Sequence, residues 1–224
     1  MTVLTKFSEK TLYDYQQNDL DTIFDYLDSA PTDTNLLYQL PTGGGKTVVF
    51  SEIAKRYIAT KGKKVVVLTH RIELSTQTSK MLEGFGVHNK IINSDVKSLE
   101  DQENFSCFVA MVETLNNRLQ EEKVSLDNIG LVIIDEAHYN SFRKLMKFFK
   151  HAVILGVTAT PLSSNIKLPM KDHYKKLIVG ESITSLIDKK FLAQAHLYNK
   201  NVSLKTVKII QSYTQNINKF KWLK

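Results

Sequence analysis

Short apolar runs alternate along the chain with longer stretches whose apolar residues recur at helical spacing. The runs are apolar throughout, which is typical of strands buried on both faces of a sheet. The alternation predicts an α/β fold, with a mainly parallel central sheet and helices on both faces. The predicted strands are Leu36–Tyr38, Lys64–Thr69, Ile91–Ile92, Phe105–Val112, Leu131–Asp135, Ala152–Val157, Tyr174–Val179 and Ala195–Tyr198. The predicted helices are 15–28, 46–60, 72–83, 113–121, 141–149 and 182–187.

A glycine-rich turn joins the first predicted strand to the second predicted helix. Backbone N–H groups at glycines can crowd around phosphate oxygens, and the helix N-terminus adds positive potential. Lys46 can reach the β- and γ-phosphates, and the Thr47 hydroxyl can ligate Mg²⁺. Leu40 stands where the usual phosphate loop has glycine or alanine. The residues expected to bind ATP here are Thr42, Gly43, Gly44, Gly45, Lys46 and Thr47.

Two acids directly follow the apolar strand that ends at Asp135. The carboxyl ends of parallel strands are where α/β sheets bind ligands. Asp135 is expected to hold Mg²⁺ through water, and Glu136 to orient or deprotonate the attacking water. We expect this strand to neighbour the strand before the glycine turn, so that Lys46 and both acids surround one triphosphate. Lys46, Asp135 and Glu136 are therefore the predicted catalytic residues.

In their order along residues 12 to about 200, these segments resemble the motifs of superfamily 2 helicases and translocases. The glycine turn looks like motif I, Asp135–His138 looks like motif II of the DEAH kind, and Thr158–Pro161 looks like motif III. The resemblance implies a RecA-like P-loop NTPase domain that couples ATP hydrolysis to movement. We expect His138 to link motif II to motif III by hydrogen bonding, since no second ligand is spaced for a metal. The coupling residues would be His138, Thr158 and Thr160.

Three further segments extend the resemblance. Thr69–Leu74 looks like motif Ia, in which His70 and Arg71 would touch a nucleic-acid backbone. Val109–Leu115 resembles the motif whose threonine, here Thr114, meets a phosphate. Tyr13–Gln16 resembles the Q motif, so Gln16 would read the adenine edge, and the Tyr13 ring, where arginine is usual, could stack on the base. The nearest resemblance is to the bacterial radical-repair-like DEAD/DEAH helicases.

Positive charge is concentrated in the last quarter of the chain. Residues 167–224 hold 12 Lys and Arg against 3 Asp and Glu, within a net charge of +7. This segment either contacts phosphates or forms a solvated surface, and the sequence leaves both readings open. The run Arg143–Lys150 mixes basic and aromatic residues, and we expect an amphipathic helix with Leu145, Phe148 and Phe149 in the core rather than a nucleic-acid platform.

The remaining features bear on location and domain organisation. The single cysteine, Cys107, lies in an apolar run and is expected to be a buried thiol. No run approaches the roughly 18 apolar residues of a membrane span, and the N-terminus lacks a signal-peptide core, so a cytoplasmic location without membrane contact is expected. We expect residues 1–200 to form the first RecA-like domain and residues 201–224 a basic linker or tail.

The family's second RecA-like domain, which supplies arginines to the transferring phosphoryl group, has no counterpart after Pro161. We therefore expect weak to moderate ATP binding, poor hydrolysis and no unwinding by the chain alone. Nucleic acid is the expected partner, with DNA favoured over RNA. Two alternatives stay open: the translocase subunit of a type I or type III restriction system, and a nucleotide-gated binding module without turnover.

Overall fold

The computed structural model describes residues 11–29, 34–96, 98–121 and 124–194. The chain divides after residue 192 into two units, and every element below lies in the first. The strands are β1 (Leu36–Gln39), β2 (Lys64–Thr69), β3 (Asn89–Ile92), β4 (Cys107–Met111), β5 (Ile129–Asp135), β6 (Val153–Thr158) and β7 (Lys176–Val179). The α-helices are α1 (Asp14–Ser29), α2 (Lys46–Lys61), α3 (Ile72–Gly84), α4 (Val112–Gln120) and α5 (Ile183–Asp188). Short 3₁₀ helices cover Gln102–Asn104, Asn140–Phe148 and Met170–Asp172.

These strands form one sheet in the order β3-β4-β2-β5-β6-β1-β7, and every neighbouring pair is parallel. The central strands β2 and β5 are buried over almost their whole length, as their unbroken apolar sequences predict. The predicted α/β fold with a parallel sheet is confirmed.

Alternate strand residues supply two cores, one on each face of the sheet. In β2, Val65 and Val67 pack with residues of α1, α2, α3 and α5, whereas Val66 and Leu68 pack with residues of α4 and the 3₁₀ helix at Asn140–Phe148. Helices therefore cover both faces, and all strands direct their carboxyl ends to the same edge.

The predicted elements differ from the observed ones mainly in type and bounds. The predicted helix at 141–149 is a 3₁₀ helix, in which Phe142, Leu145 and Phe149 are buried and Phe148 is partly buried. This confirms the prediction that the apolar residues of the Arg143–Lys150 run pack in the core. Arg143 donates hydrogen bonds to the carbonyls of Leu168 and Pro169, 3.1 and 3.0 Å away, and these bonds tie the segment to the following loop.

Two local predictions are confirmed at atomic detail. The Ser182 side chain caps α5 by accepting a hydrogen bond from the Ser185 backbone N–H, 3.1 Å away. Cys107 is fully buried in β4, and burial raises the pKa of its thiol. The predicted strand at 195–198 and the basic tail at 201–224 lie outside the described residues. No helix within the described ranges has the length and apolar content of a bilayer-crossing segment.

Candidate nucleotide site

The glycine-rich turn lies between the end of β1 and the first residue of α2. Gly43 and Gly45 adopt the left-handed conformation, with φ of +84° and +83°, which glycine reaches without steric cost. The turn is closed by a hydrogen bond from the Gly44 N–H to the Pro41 carbonyl, 3.0 Å away. No side chain caps the N-terminus of α2, so its first N–H groups remain available to an anion.

Leu40 shows why this turn tolerates a large residue where the usual pattern has glycine. Its side chain is fully buried in the core, and an added Cβ on Gly44 would lie 2.9 Å from its Cγ. Its backbone N–H donates to the Thr158 carbonyl, 3.0 Å away. The large residue at this position therefore fills the core next to Gly44, whereas Thr42 and Gly43 are exposed.

The start of α1 also contacts the turn. Tyr15 Oη donates to the Gly44 carbonyl at 2.8 Å, and Gln16 Nε2 lies 3.3 Å from the same oxygen. Gln16 Oε1 accepts from the Tyr13 backbone N–H at 3.0 Å, and the Gln16 side chain is 3% exposed. Gln16 thus positions the turn, a role that the sequence did not predict, and its contact with adenine stays a prediction.

Tyr15 is the residue that sequence reasoning missed. It lies inside the Tyr13–Gln16 segment, but its hydrogen bond to Gly44 spans 29 positions of sequence. Burial raises the pKa of the Tyr15 phenol, which keeps the donor proton in place. The Tyr13 ring, by contrast, is 54% exposed and lies parallel to the Tyr15 ring, with centroids 6.0 Å apart.

The two acids lie at the end of β5. Asp135 is only 9% exposed, and burial, followed by the negative charge of Glu136, raises its pKa to about 6. The Lys46 ammonium opposes this shift, so its charge acts on the Asp135 carboxylate. Asp135 Oδ1 accepts a hydrogen bond from the Glu136 N–H at 3.0 Å. Glu136 has a φ of +51°, an uncommon left-handed backbone that turns the chain sharply after the strand.

The expectation that the two strands are neighbours is wrong, because β6 lies between β1 and β5. The parallel register still brings the strand ends together: Asp135 pairs with Val157, and the next residue of β6, Thr158, pairs with Gln39 of β1. This register places the ends of β5, β6 and β1 within one residue of the same level, so the candidate site lies at three adjacent strand tips rather than two.

A chain of side-chain contacts links the acids to the segment that follows β6. His138 Nδ1 lies 3.0 Å from Thr158 Oγ1 and 3.3 Å from Glu136 Oε2. Thr158 Oγ1 also accepts from the Thr160 N–H at 3.1 Å. The expected hydrogen bond between His138 and Thr158 is present, and this chain of contacts connects Glu136 to Thr160.

The residues expected to touch nucleic acid lie at the same edge, after β2 and β4. Arg71 is exposed at the start of α3, and Thr114 is half-buried in the first turn of α4. His70 packs its ring against Tyr139, with centroids 4.8 Å apart, and its Nδ1 lies 3.4 Å from Ser141 Oγ. Burial lowers the pKa of His70. The structure therefore places His70 against the turn that follows the acids, and its contact with nucleic acid stays a prediction.

The donor set fits a magnesium ion delivered with a nucleotide. Within the described residues, no group of three or more His, Cys, Asp or Glu side chains is arranged to hold a metal. Mg²⁺ keeps several waters and uses one or two protein oxygens together with substrate phosphates. The buried Asp135 carboxylate and the Thr47 hydroxyl match that requirement without further carboxylates.

Comparison with known proteins agrees with this geometry. The family described as "Type III restriction enzyme, res subunit" matches residues 9–163. "Putative ATP-dependent helicase IRC3" of Saccharomyces cerevisiae is 30% identical over 204 residues, which cover 84% of this chain and 29% of that protein. The "51.5 kDa protein" of a Lactococcus phage is 33% identical over 168 residues, covering 73% of this chain and 32% of that protein. The chain thus spans about a third or less of these relatives.

Solved structures show the same fold. A nuclease-deletion mutant of the type ISP restriction-modification enzyme LlaGI, in complex with a DNA substrate mimic, aligns with a TM-score of 0.63 at 18% identity. That alignment covers 95% of this chain and 23% of LlaGI. The crystal structure of the UvsW helicase from bacteriophage T4 aligns with a TM-score of 0.57 at 14% identity, over 75% of this chain and 59% of UvsW. These alignments establish a RecA-like α/β fold.

Proposed function

Because the chain belongs to the family described as "Type III restriction enzyme, res subunit", we propose that it is the first RecA-like motor domain of a superfamily 2 helicase or translocase. Joined to a second RecA-like domain, it would couple hydrolysis of Mg-ATP to movement on nucleic acid. The observation that carries this proposal is that Lys46, at the start of α2, lies close enough to the buried Asp135, at the end of β5, for its charge to lower the pKa of that carboxyl. The lysine follows β1 and the aspartate ends β5, and binding of a metal–triphosphate complex requires two such charges close together.

The proposed roles follow from position. The N–H groups of the turn from Thr42 to Thr47 cradle the phosphates, and the Lys46 ammonium pairs with the outer ones. The Thr47 hydroxyl and Asp135 hold Mg²⁺, which neutralises charge on the phosphates when bound. Glu136 orients the attacking water and accepts its proton.

Coupling is proposed to run through the link from Glu136 to motif III. His138 contacts both Glu136 and Thr158, so a change in the position of the Glu136 carboxylate would reach Thr160 through the His138 ring and the Thr158 hydroxyl. Arg71 follows β2 and Thr114 follows β4, and these two strands pair in parallel. Both residues would bind phosphates of the nucleic acid, and His70 would support the turn between the nucleic-acid site and the nucleotide site. Tyr13 and Gln16 would contact the base.

Hydrolysis by the described unit alone is proposed to be slow. Arginines that stabilise a transferring phosphoryl group contribute about 10³–10⁵ in rate in related NTPases, and in this family the second domain supplies them. The matched relatives are about three or more times longer than the aligned segment, which leaves room for such a domain in those proteins.

DNA is the proposed nucleic-acid partner. LlaGI, which shares the fold, is in complex with a DNA substrate mimic, and a second type ISP restriction-modification enzyme of the same fold, LlaBIII, is bound to DNA. The family description and these two restriction enzymes also favour a second candidate, the translocase subunit of a restriction system. Both candidates use the same nucleotide chemistry. A nucleotide-gated binding module differs from both, because it would show no nucleic-acid-stimulated turnover. A cytoplasmic location stays a prediction of the sequence.

The test compares ATP binding and hydrolysis, with and without single-stranded and duplex DNA and RNA, in the native chain and two lysine variants. Lys46→Ala should weaken Mg-ATP binding about 10- to 100-fold, since it removes a charge-assisted contact worth about 1.5–3 kcal/mol. Lys61→Ala is the matched control: it removes the same charge from the other end of α2, where Lys61 pairs with Asp28 on the surface. If the Lys46 variant binds ATP as well as the native chain, the phosphate assignment is wrong.

A further inference from the structure

An exposed aromatic cluster lies beside the phosphate turn and includes a residue from outside every motif. The rings of Tyr13, Tyr15 and Phe191 meet, with the Phe191 centroid 4.6 Å from that of Tyr13 and 5.2 Å from that of Tyr15. Tyr13 is 54% exposed and Phe191 39% exposed, whereas Tyr15 is buried. Two partly exposed aromatic rings therefore contact each other and a third ring, which is buried.

The backbone after α5 places Phe191 at this position. Lys190 adopts a left-handed conformation with φ of +63°, which reverses the chain at the helix end. The N–H groups of Phe191 and Leu192 then both donate to the Leu186 carbonyl, at 2.8 and 3.0 Å. Leu186 is fully buried in the core, so this reversal is anchored to the sheet.

The same reversal brings the chain against the phosphate turn. An added Cβ on Gly43 would lie 2.7 Å from Leu192 Cδ2, so the Leu192 side chain packs directly on the turn. On the other side of the cluster, Tyr15 holds the Gly44 carbonyl. The cluster is thus fixed to two residues of the turn, and a nucleotide whose phosphates occupy the turn would bring its base to these rings.

We propose that Phe191, together with Tyr13, forms the platform on which the base of the bound nucleotide stacks. This inference rests on the proposed function, and it adds a binding residue from the segment through which the chain leaves its first unit. Stacking on an aromatic face is tolerant of base identity, because every base presents a π-face. Phe191 therefore contributes affinity for purine nucleotides without discriminating adenine from guanine.

The test measures binding of Mg-ATP, Mg-GTP and inorganic tripolyphosphate by titration calorimetry. Phe191→Ala should weaken ATP and GTP binding by a similar factor of about 10, and leave tripolyphosphate binding unchanged. Phe191→Leu keeps an apolar side chain without a π-face and should lose nearly as much, whereas Phe191→Trp should retain affinity. Ile183→Ala removes another exposed apolar side chain, at the start of α5, and serves as the control.

Each outcome separates the platform from the phosphate site. Full ATP affinity in both Phe191→Ala and Phe191→Leu would overturn the platform and leave the proposed function standing, provided that Lys46→Ala weakens both ATP and tripolyphosphate. Full affinity in Phe191→Leu alone would show that Phe191 acts by packing, which also overturns the platform. A native chain that binds neither ATP nor tripolyphosphate would overturn both proposals.

Discussion

Replacing Asp135 by asparagine should stabilise the nucleotide-free chain while abolishing hydrolysis. Asp135 is buried next to Glu136, and these two effects raise its pKa from the ordinary 3.8 to about 6. A carboxyl whose pKa is raised in the folded state stabilises the fold below its unfolded pKa, and that stability is lost as pH rises through about 6. Above pH 6 the ionised side chain therefore costs free energy, which asparagine would not.

The size of the effect follows from the shift. Each pKa unit corresponds to 1.36 kcal/mol, so a shift of about two units sets an upper bound of about 3 kcal/mol at pH 8. Asparagine keeps an oxygen for the Glu136 N–H but brings an amide that needs an acceptor, which offsets part of the gain. We expect a net stabilisation of about 1–2 kcal/mol at pH 8, falling towards zero at pH 5, where the native carboxyl is protonated.

The assay is urea denaturation of both chains in EDTA without nucleotide, at pH 8 and pH 5. Asp135→Asn should have the higher midpoint at pH 8, with an unchanged dependence on denaturant. Its Mg-ATP hydrolysis should fall to background. A variant that is equally or less stable at pH 8, or whose advantage is the same at both pH values, would refute the reasoning from burial and charge.

Three further predictions concern single residues. Burial lowers the pKa of His173 to about 4, so between pH 7 and pH 5 the unfolded chain takes up a proton at this residue that the folded chain does not. His173→Gln should therefore lose about 1 kcal/mol less stability than the native chain over this pH range. Denaturation midpoints at both pH values measure the difference. Tyr174→Phe should be neutral or stabilising by up to about 1 kcal/mol, because the buried hydroxyl has no hydrogen-bond partner among the described residues; a loss above 1 kcal/mol in thermal denaturation would contradict this. Gly45→Ala should weaken ATP binding at least about 10-fold, since the added Cβ would lie 2.4 Å from Gln16 Nε2. Gly62→Ala is the control: its left-handed backbone costs a similar amount, about 1–2 kcal/mol, but the added Cβ meets no atom within 4 Å, so ATP binding should be normal.

The sequence predicts the parallel sheet, the glycine turn and the acids because each is written in a local pattern. Unbroken apolar runs mark strands buried on both faces, and glycines beside a lysine mark a turn at a helix start. The same local reasoning predicts the Ser182 cap, which joins residues only three positions apart. Element bounds shift by a few residues, as β4 does at both ends, since packing decides where a strand stops.

Features that depend on distant residues could not be read from the sequence. The position of β6 between β1 and β5 is set by tertiary packing, and no local signal distinguishes it from a direct pairing. The contact of Leu192 with Gly43 spans most of the chain, and Phe191 belongs to no motif. Gln16 illustrates the same limit: its resemblance to the Q motif predicts a base contact, whereas its bonds to the phosphate turn require knowledge of the fold.

The central claim is that the turn at residues 43–47 and the acids at residues 135–136 surround one Mg-triphosphate. Its most direct test is a crystal structure of the chain grown with Mg²⁺ and a non-hydrolysable ATP analogue. We predict phosphates wrapped by the turn, with the metal within ligand distance of the Thr47 hydroxyl and facing the Asp135 carboxylate through water. An analogue bound elsewhere, with the turn empty and Asp135 remote from the metal, would contradict the account.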